Sequence, residues 1–117
     1  MENRLVNNIE RNFKMLTNKQ QEKLIANWGE RAISMQCKAE VRFYDPRSQW
    51  ECYIYAMDPW DMDTILCLIR GTTWEIVEWK LSELVTLIND QGDTPSMDEQ
   101  YAPKKITTLL KTLEEAT

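Results

Sequence analysis

Apolar positions recur along this chain with two different periods, and the switch between them marks its organisation. In residues 3–14, Leu5, Ile9 and Phe13 are spaced four apart, on one face of a short amphipathic helix. A second helix is predicted to open at Thr17. Thr17 followed by Gln20 has the pattern of a capping box, in which each side chain satisfies an orphan backbone donor of the other. Leu24, Ile25 and Trp28 form its apolar stripe, and Gly29 is the expected stop.

From residue 38 the period falls to two. Ala39, Val41 and Phe43 alternate with Lys38, Glu40 and Arg42, the pattern of a strand with one wet face. Asp45-Pro46-Arg47-Ser48 reads as a turn, with proline presetting φ at its second position. In 49–57, Trp50, Cys52, Ile54 and Ala56 are expected on one face, and Tyr53, Tyr55 and Met57 on the other. Residues 58–63 form the next loop. Thr64–Arg70 is apolar on both faces, which predicts a strand covered on two sides. After a tight turn at Gly71 and Thr72, a fourth strand is expected over 73–81. Links this short favour antiparallel neighbours, so 38–81 is predicted to be a four-stranded meander.

The helical period then returns. Ser82 is the expected cap of a helix over 83–91 carrying Leu84, Leu87 and Ile88. Residues 91–103 are loop by composition, and a last helix over 105–116 has Ile106, Leu109, Leu110 and Leu113 as its core face. The expected fold class is therefore α+β: a four-stranded antiparallel meander sheet with N-terminal and C-terminal helices packed on it. One domain spans 1–117, with a helical segment over 1–35, the sheet over 38–81 and the C-terminal helices over 82–117.

Composition narrows the chemistry. The chain of 117 residues is 43% hydrophobic and 28% charged, ordinary for a globular protein able to bury about two thirds of its unfolded surface. No apolar run approaches the ~18 residues needed to span a membrane, so no membrane association is expected. The opening MENRLVNNIERNF lacks the apolar core of a secretory signal. With three cysteines, Cys37, Cys52 and Cys67, in apolar strand-like surroundings, the expectation is reduced, buried thiols in a cytoplasmic protein.

There is no histidine. That excludes Ser-His-Asp and Cys-His nucleophile activation, the commonest general base near neutral pH, and the usual zinc, copper and iron ligand sets. Gly29, Gly71 and Gly92 are isolated, so no glycine-rich phosphate cradle exists. No cofactor and no tightly bound transition metal are expected. Net charge is −5 but uneven: residues 1–35 carry +2 and residues 36–117 carry −7. An acidic body argues against direct nucleic-acid binding, which needs Lys and Arg to displace counterions from phosphates.

One stretch resembles a known family. The run RFYDPRSQWECYIYAMDPWD, beginning at Arg42, is similar to the FFDP-x-S-x-W-x-WY…D stretch of the bacterial family catalogued as domain of unknown function 2958. The run TWEIVEWKLSEL, beginning at Thr73, resembles that family's acidic, aromatic stretch ending in SLSEL, and Met15, Leu16, Thr17 and the helix after them resemble its opening. The resemblance covers roughly residues 15–113; it departs at Val77, where the family has glycine. It implies a protein of plasmids, phages and other mobile elements, acting in host interaction or counter-defence, and it carries over no catalytic residue.

Three features remain as candidate sites. Asp58, Asp61 and Asp63 place three carboxylates in six residues, a set that could hold Mg²⁺ or Ca²⁺ but lacks the glycine and later glutamate of a calcium loop. The simpler reading is a solvated hairpin loop. Five Trp and four Tyr are many for this length, and such residues dominate binding hot spots. Trp28, Trp50 and either Trp74 or Trp79 are expected in the core, while Tyr44, Tyr53 and Tyr55 would be exposed unless helices cover both sheet faces. Asp90, Asp93, Asp98 and Glu99 form a second acidic loop, beside Pro95 and Pro103. The leading expectation is a non-catalytic acidic protein that binds a basic protein partner through Tyr53, Tyr55, Trp60, Asp58, Asp61 and Asp63, in the manner of a nucleic-acid mimic. The alternatives are a divalent-metal hydrolase using Asp58, Asp61, Asp63 and Glu75, and a homo-oligomeric accessory protein with its aromatics at a self-interface.

Overall fold

The computed structural model describes residues 16–87 and 91–116. The helix expected over 3–14, with Leu5, Ile9 and Phe13, and the side chains of Ile88, Asp90 and Leu113 lie outside that description. No helix of the described residues is long and apolar enough to cross a membrane.

Helix α1 spans Asn18–Asn27, and its capping box is formed as the spacing predicts. The Thr17 N–H donates to Gln20 Oε1 at 2.8 Å, and the Gln20 N–H donates to Thr17 Oγ1 at 3.0 Å. The helix stops at Trp28, whose backbone is extended, and Gly29 follows at φ 99°, a conformation that would strain any side chain. A second helix that the period did not announce, α2 (Glu30–Ser34), is too short to show one.

The architecture is α+β. Strands β2 (Val41–Tyr44), β3 (Glu51–Met57), β4 (Thr64–Arg70) and β5 (Trp74–Lys80) pair as successive antiparallel neighbours, the expected meander. The strand count needs correction in two places. Ser96–Met97 (β6), inside the stretch read as loop, pairs with Phe43 and Tyr44, giving a five-stranded sheet in the order β5-β4-β3-β2-β6. Lys38–Ala39 (β1) leaves that sheet and forms a two-stranded ribbon with Lys104–Lys105 (β7).

The cause of the second departure lies at Tyr55. Ile54 pairs with Cys67 but Ala56 pairs with Leu66, so Tyr55 is an extra residue in β3. Such a bulge reverses the alternation. Cys52 and Ile54 are joined by Met57 in one apolar cluster, while Tyr53, Tyr55 and Ala56 belong to another. The chain at Glu40 makes the matching adjustment, with Ala39 in the second cluster and Val41 in the first. The expected face assignments of Ala39, Ala56 and Met57 are corrected accordingly. Glu40, predicted on a wet face, is 8% exposed.

Asn27 holds this irregular junction. Its Nδ2 donates to the carbonyls of Lys38 at 3.2 Å and Tyr55 at 2.9 Å, two groups that the broken ladder would otherwise leave bare. A buried Asn at 6% exposure is explained by this pairing.

Core packs against both faces of the sheet. On one, Leu16 and Leu24 meet Val41, Phe43, Ile54, Ile65 and the short helix α3 (Leu81–Thr86) through Leu81 and Leu84. On the other, Ala32, Cys37, and Ile106 and Leu109 of the last helix α4 (Ile106–Ala116) cover Tyr53, Tyr55 and Leu68. All three cysteines are free and buried, as expected. Burying a side chain the size of Phe43 or Leu24 contributes about 1.5–3 kcal/mol, so each face stabilises the sheet separately.

Candidate functional site

Loop 58–63 joins β3 to β4, and its carboxylates fold it. The Asp58 N–H donates to the Thr64 carbonyl at 3.0 Å, and the Thr64 N–H to the Asp61 carbonyl at 2.9 Å, closing the loop at its base. Asp58 Oδ1 then accepts from the Trp60 and Asp61 N–H groups at 2.8 and 3.3 Å, the side-chain turn that Asp readily makes. Asp61 accepts from the Asp63 N–H at 3.2 Å and, through Oδ2, from the Thr64 hydroxyl and the Lys80 ammonium, each at 2.8 Å. The Lys80 hydrogen bond, helped by the Thr64 hydroxyl and the Asp63 N–H, holds the Asp61 carboxyl below its usual range. The same bond to Asp61 raises Lys80.

Asp63 has a separate task. The expected cap Ser82 lies inside α3, which has no capping side chain of its own at Lys80. Asp63 supplies the cap instead, taking the Ser82 N–H at 2.8 Å and its hydroxyl at 2.7 Å, while its carbonyl takes the Leu81 N–H at 2.7 Å. A carboxylate here also sits favourably at the positive end of the helix.

The bracing leaves Trp60 at the tip of the loop, 88% exposed. Trp28, Trp50, Trp74 and Trp79 are partly buried against the two clusters, Trp50 and Trp79 meeting edge to face at 6.4 Å. Among these five indoles Trp60 alone is offered to solvent.

The tyrosines expected beside it are not on the surface. Tyr53 and Tyr55 are 5% and 2% exposed, because α2 and α4 cover the sheet face that they occupy. Tyr53 donates to Glu51 Oε2 at 3.2 Å and packs its ring 5.8 Å from Tyr101. Burial raises the Tyr53 hydroxyl, and it pushes that of Tyr55 up to about 12. Tyr44 is half-buried beneath the Arg42 guanidinium, 4.9 Å from its ring centre. The exposed tyrosine surface expected from β3 is therefore not formed, and Asp58, Trp60, Asp61 and Asp63 are the expected residues that the structure brings together.

The second acidic loop is likewise tied to the sheet. Asp98 accepts from Arg42 Nη1 at 2.9 Å, and Asp93 pairs with Arg47. Arg42 Nη2 also donates to Glu51 at 2.6 Å, and Arg70 approaches the same carboxylate at 3.7 Å. This network joins residues from three strands and a loop, and no spacing in the sequence announces it. Glu75 stands on β5 five positions from Lys80, ~17 Å along the strand, so it does not join the carboxylates of loop 58–63. Among the described residues no three His, Cys, Asp or Glu side chains are grouped so as to hold a metal ion.

No family model matches the chain, and no curated protein or solved structure matches it either.

Proposed function

We propose that this protein is a non-catalytic binding protein that engages a basic protein partner through the acidic loop 58–63, with Trp60 as the anchor. The observation that carries the reading is Trp60 itself, 88% exposed on a loop fixed by five hydrogen bonds to its aspartates and flanked by Asp58 and Asp61. An indole held in water on a stiff loop loses little conformational freedom when a pocket closes over it, which is the character of a binding hot spot. Carboxylates at the rim steer a cationic partner and set the association rate more than the affinity. Lys80 offsets part of that charge, so Asp58 is the stronger steering group. Tyr53 and Tyr55 contribute by holding β3 in the core, not by touching the partner. The free, buried cysteines suit a cytoplasmic setting, and the resemblance to domain of unknown function 2958 adds a role as a mobile-element inhibitor or counter-defence protein to the proposal.

The test uses immobilised wild-type protein, Trp60→Ala and Asp58→Asn on bacterial lysate. A partner retained by the wild type should fall about tenfold on Trp60→Ala, equivalent to ~1.4 kcal/mol. Its capture should weaken with salt for the wild type and depend less on salt for Asp58→Asn. Equal recovery on all three folded baits sinks the proposal.

A further inference from the structure

A second feature stands apart from loop 58–63 and has the opposite charge. Lys23 from α1, Arg31 from α2, Lys38 from β1 and Lys105 from β7 line one cavity of about 490 Å³, together with Asn27 and Glu40. In a chain of net charge −5, four cations from four elements meeting at one cavity is a marked segregation.

Their partners are few. Arg42, Arg47, Arg70 and Lys80 all pair with carboxylates elsewhere in the fold. Among the described residues, no carboxylate pairs with Arg31, Lys38 or Lys105, and Glu40 reaches only Lys23, at 3.8 Å. Lys38 and Lys105 are moreover direct cross-strand partners, an arrangement of like charges that weakens a two-residue ribbon. Exposed lysines can serve merely to block edge pairing. That accounts for a lysine on the ribbon, but not for Lys23 and Arg31 converging from two helices on the same cavity.

The walls are fixed before any ligand arrives. Asn27 ties α1 to the Lys38 and Tyr55 carbonyls, and the Ile106 N–H donates to the Cys37 carbonyl at 3.1 Å, which sets Lys38 against Lys105. A preformed site forfeits less affinity to ordering.

We propose that this cleft binds a small phosphate ester, with Arg31, Lys38 and Lys105 around the phosphate and the Glu40 carboxylate accepting a hydroxyl or amino group of the same molecule. Arg offers a planar fork matched to phosphate oxygens, and Lys adds compact point charges. The cavity lies within the ~300–1,000 Å³ range of small-molecule sites. The acidic remainder of the body repels the further phosphates of a polynucleotide, so a single small ester is the better fit.

The test is a titration of the whole protein followed by amide NMR, with AMP, inorganic phosphate and a single-stranded oligonucleotide as probes. AMP should shift Asn27, Lys38 and Lys105 saturably and bind more tightly than inorganic phosphate. Lys38→Gln with Lys105→Gln should weaken AMP by about tenfold or more. That double variant removes a repulsion, so it is expected to fold at least as stably as the wild type. Arg31→Gln, on an exposed helical site, provides a second folded variant with the same expected loss. Three results overturn the proposal: no saturable shift with AMP at millimolar concentration, AMP binding unchanged in both variants, or tighter binding of the oligonucleotide than of AMP.

Discussion

Asp63 caps the helix of Ser82 across nineteen residues of chain, taking both its N–H and its hydroxyl within 2.8 Å. The contact joins the β3–β4 loop to the start of α3, so the loop that presents Trp60 is anchored to the core through Leu81 and Leu84. Asp63→Ala should cost about 0.5–2 kcal/mol, the range for losing a helix cap. Asp61→Ala, which breaks an exposed ion pair, should cost visibly less. Urea denaturation of both variants checks the ranking, and an equal loss contradicts it.

Asn27 is the second position where one side chain replaces missing ladder bonds. Asn27→Leu keeps the volume but leaves the Lys38 and Tyr55 carbonyls without their donor. A loss of ~2–6 kcal/mol is expected, from about 1–3 kcal/mol for each of the two uncompensated groups. Hydrogen exchange at the Glu40 amide, which donates to the Ile54 carbonyl beside the bulge, should accelerate in the same variant. A variant as stable as the wild type would show that water replaces the amide.

The Asp61–Lys80 pair gives a pH signature with a definite sign. Asp61 titrates below its ordinary value in the folded state, so its contribution is present above the unfolded carboxylate range. It is lost as pH falls through the lowered folded value. Lys80 titrates above its ordinary value, so its share is present below the unfolded lysine range and is lost as pH rises through the folded value. Asp61→Asn should therefore remove a small part of the acid destabilisation seen in urea midpoints. The difference should shrink with added salt, because both groups face solvent. An Asp61→Asn curve parallel to the wild type at every pH contradicts this assignment.

Trp60 and Tyr55 separate surface from core. Trp60→Ala should leave stability within about 0.5 kcal/mol of the wild type, and should remove the fraction of tryptophan fluorescence most accessible to acrylamide. Tyr55→Ala should cost roughly 3–5 kcal/mol, the range for deleting a large buried ring. Thermal melts and quenching curves on the two variants decide the point. A severe loss from Trp60→Ala would mean that the indole holds the loop together.

Much of this was legible in the sequence because the relevant interactions are short in chain distance or periodic along it. The Thr17–Gln20 box closes over three residues, and Pro46 shapes its own turn, where the Ser48 N–H returns to the Asp45 carbonyl. The alternation of 38–57 and the brief links between strands specified an antiparallel meander. Of the candidate site, the loop and its acidic character could be read directly. The division of labour among Asp58, Asp61 and Asp63 could not, since two of the three find partners on β5 and α3.

What the sequence determined by itself was fold class, the helix start at Thr17, the succession β2 to β5 and the absence of histidine chemistry, because each rests on local pattern or on composition. Tertiary structure decided the rest. One extra residue at Tyr55 shifts the phase of β3, and a period read from a single strand holds no trace of the register on its partner. Whether Tyr53 and Tyr55 meet water depended on α2 and α4 covering the second face, which the strand pattern cannot report. Lys38 and Lys105 became neighbours only when β7 returned to β1, a pairing between strands far apart along the chain that no local period can record.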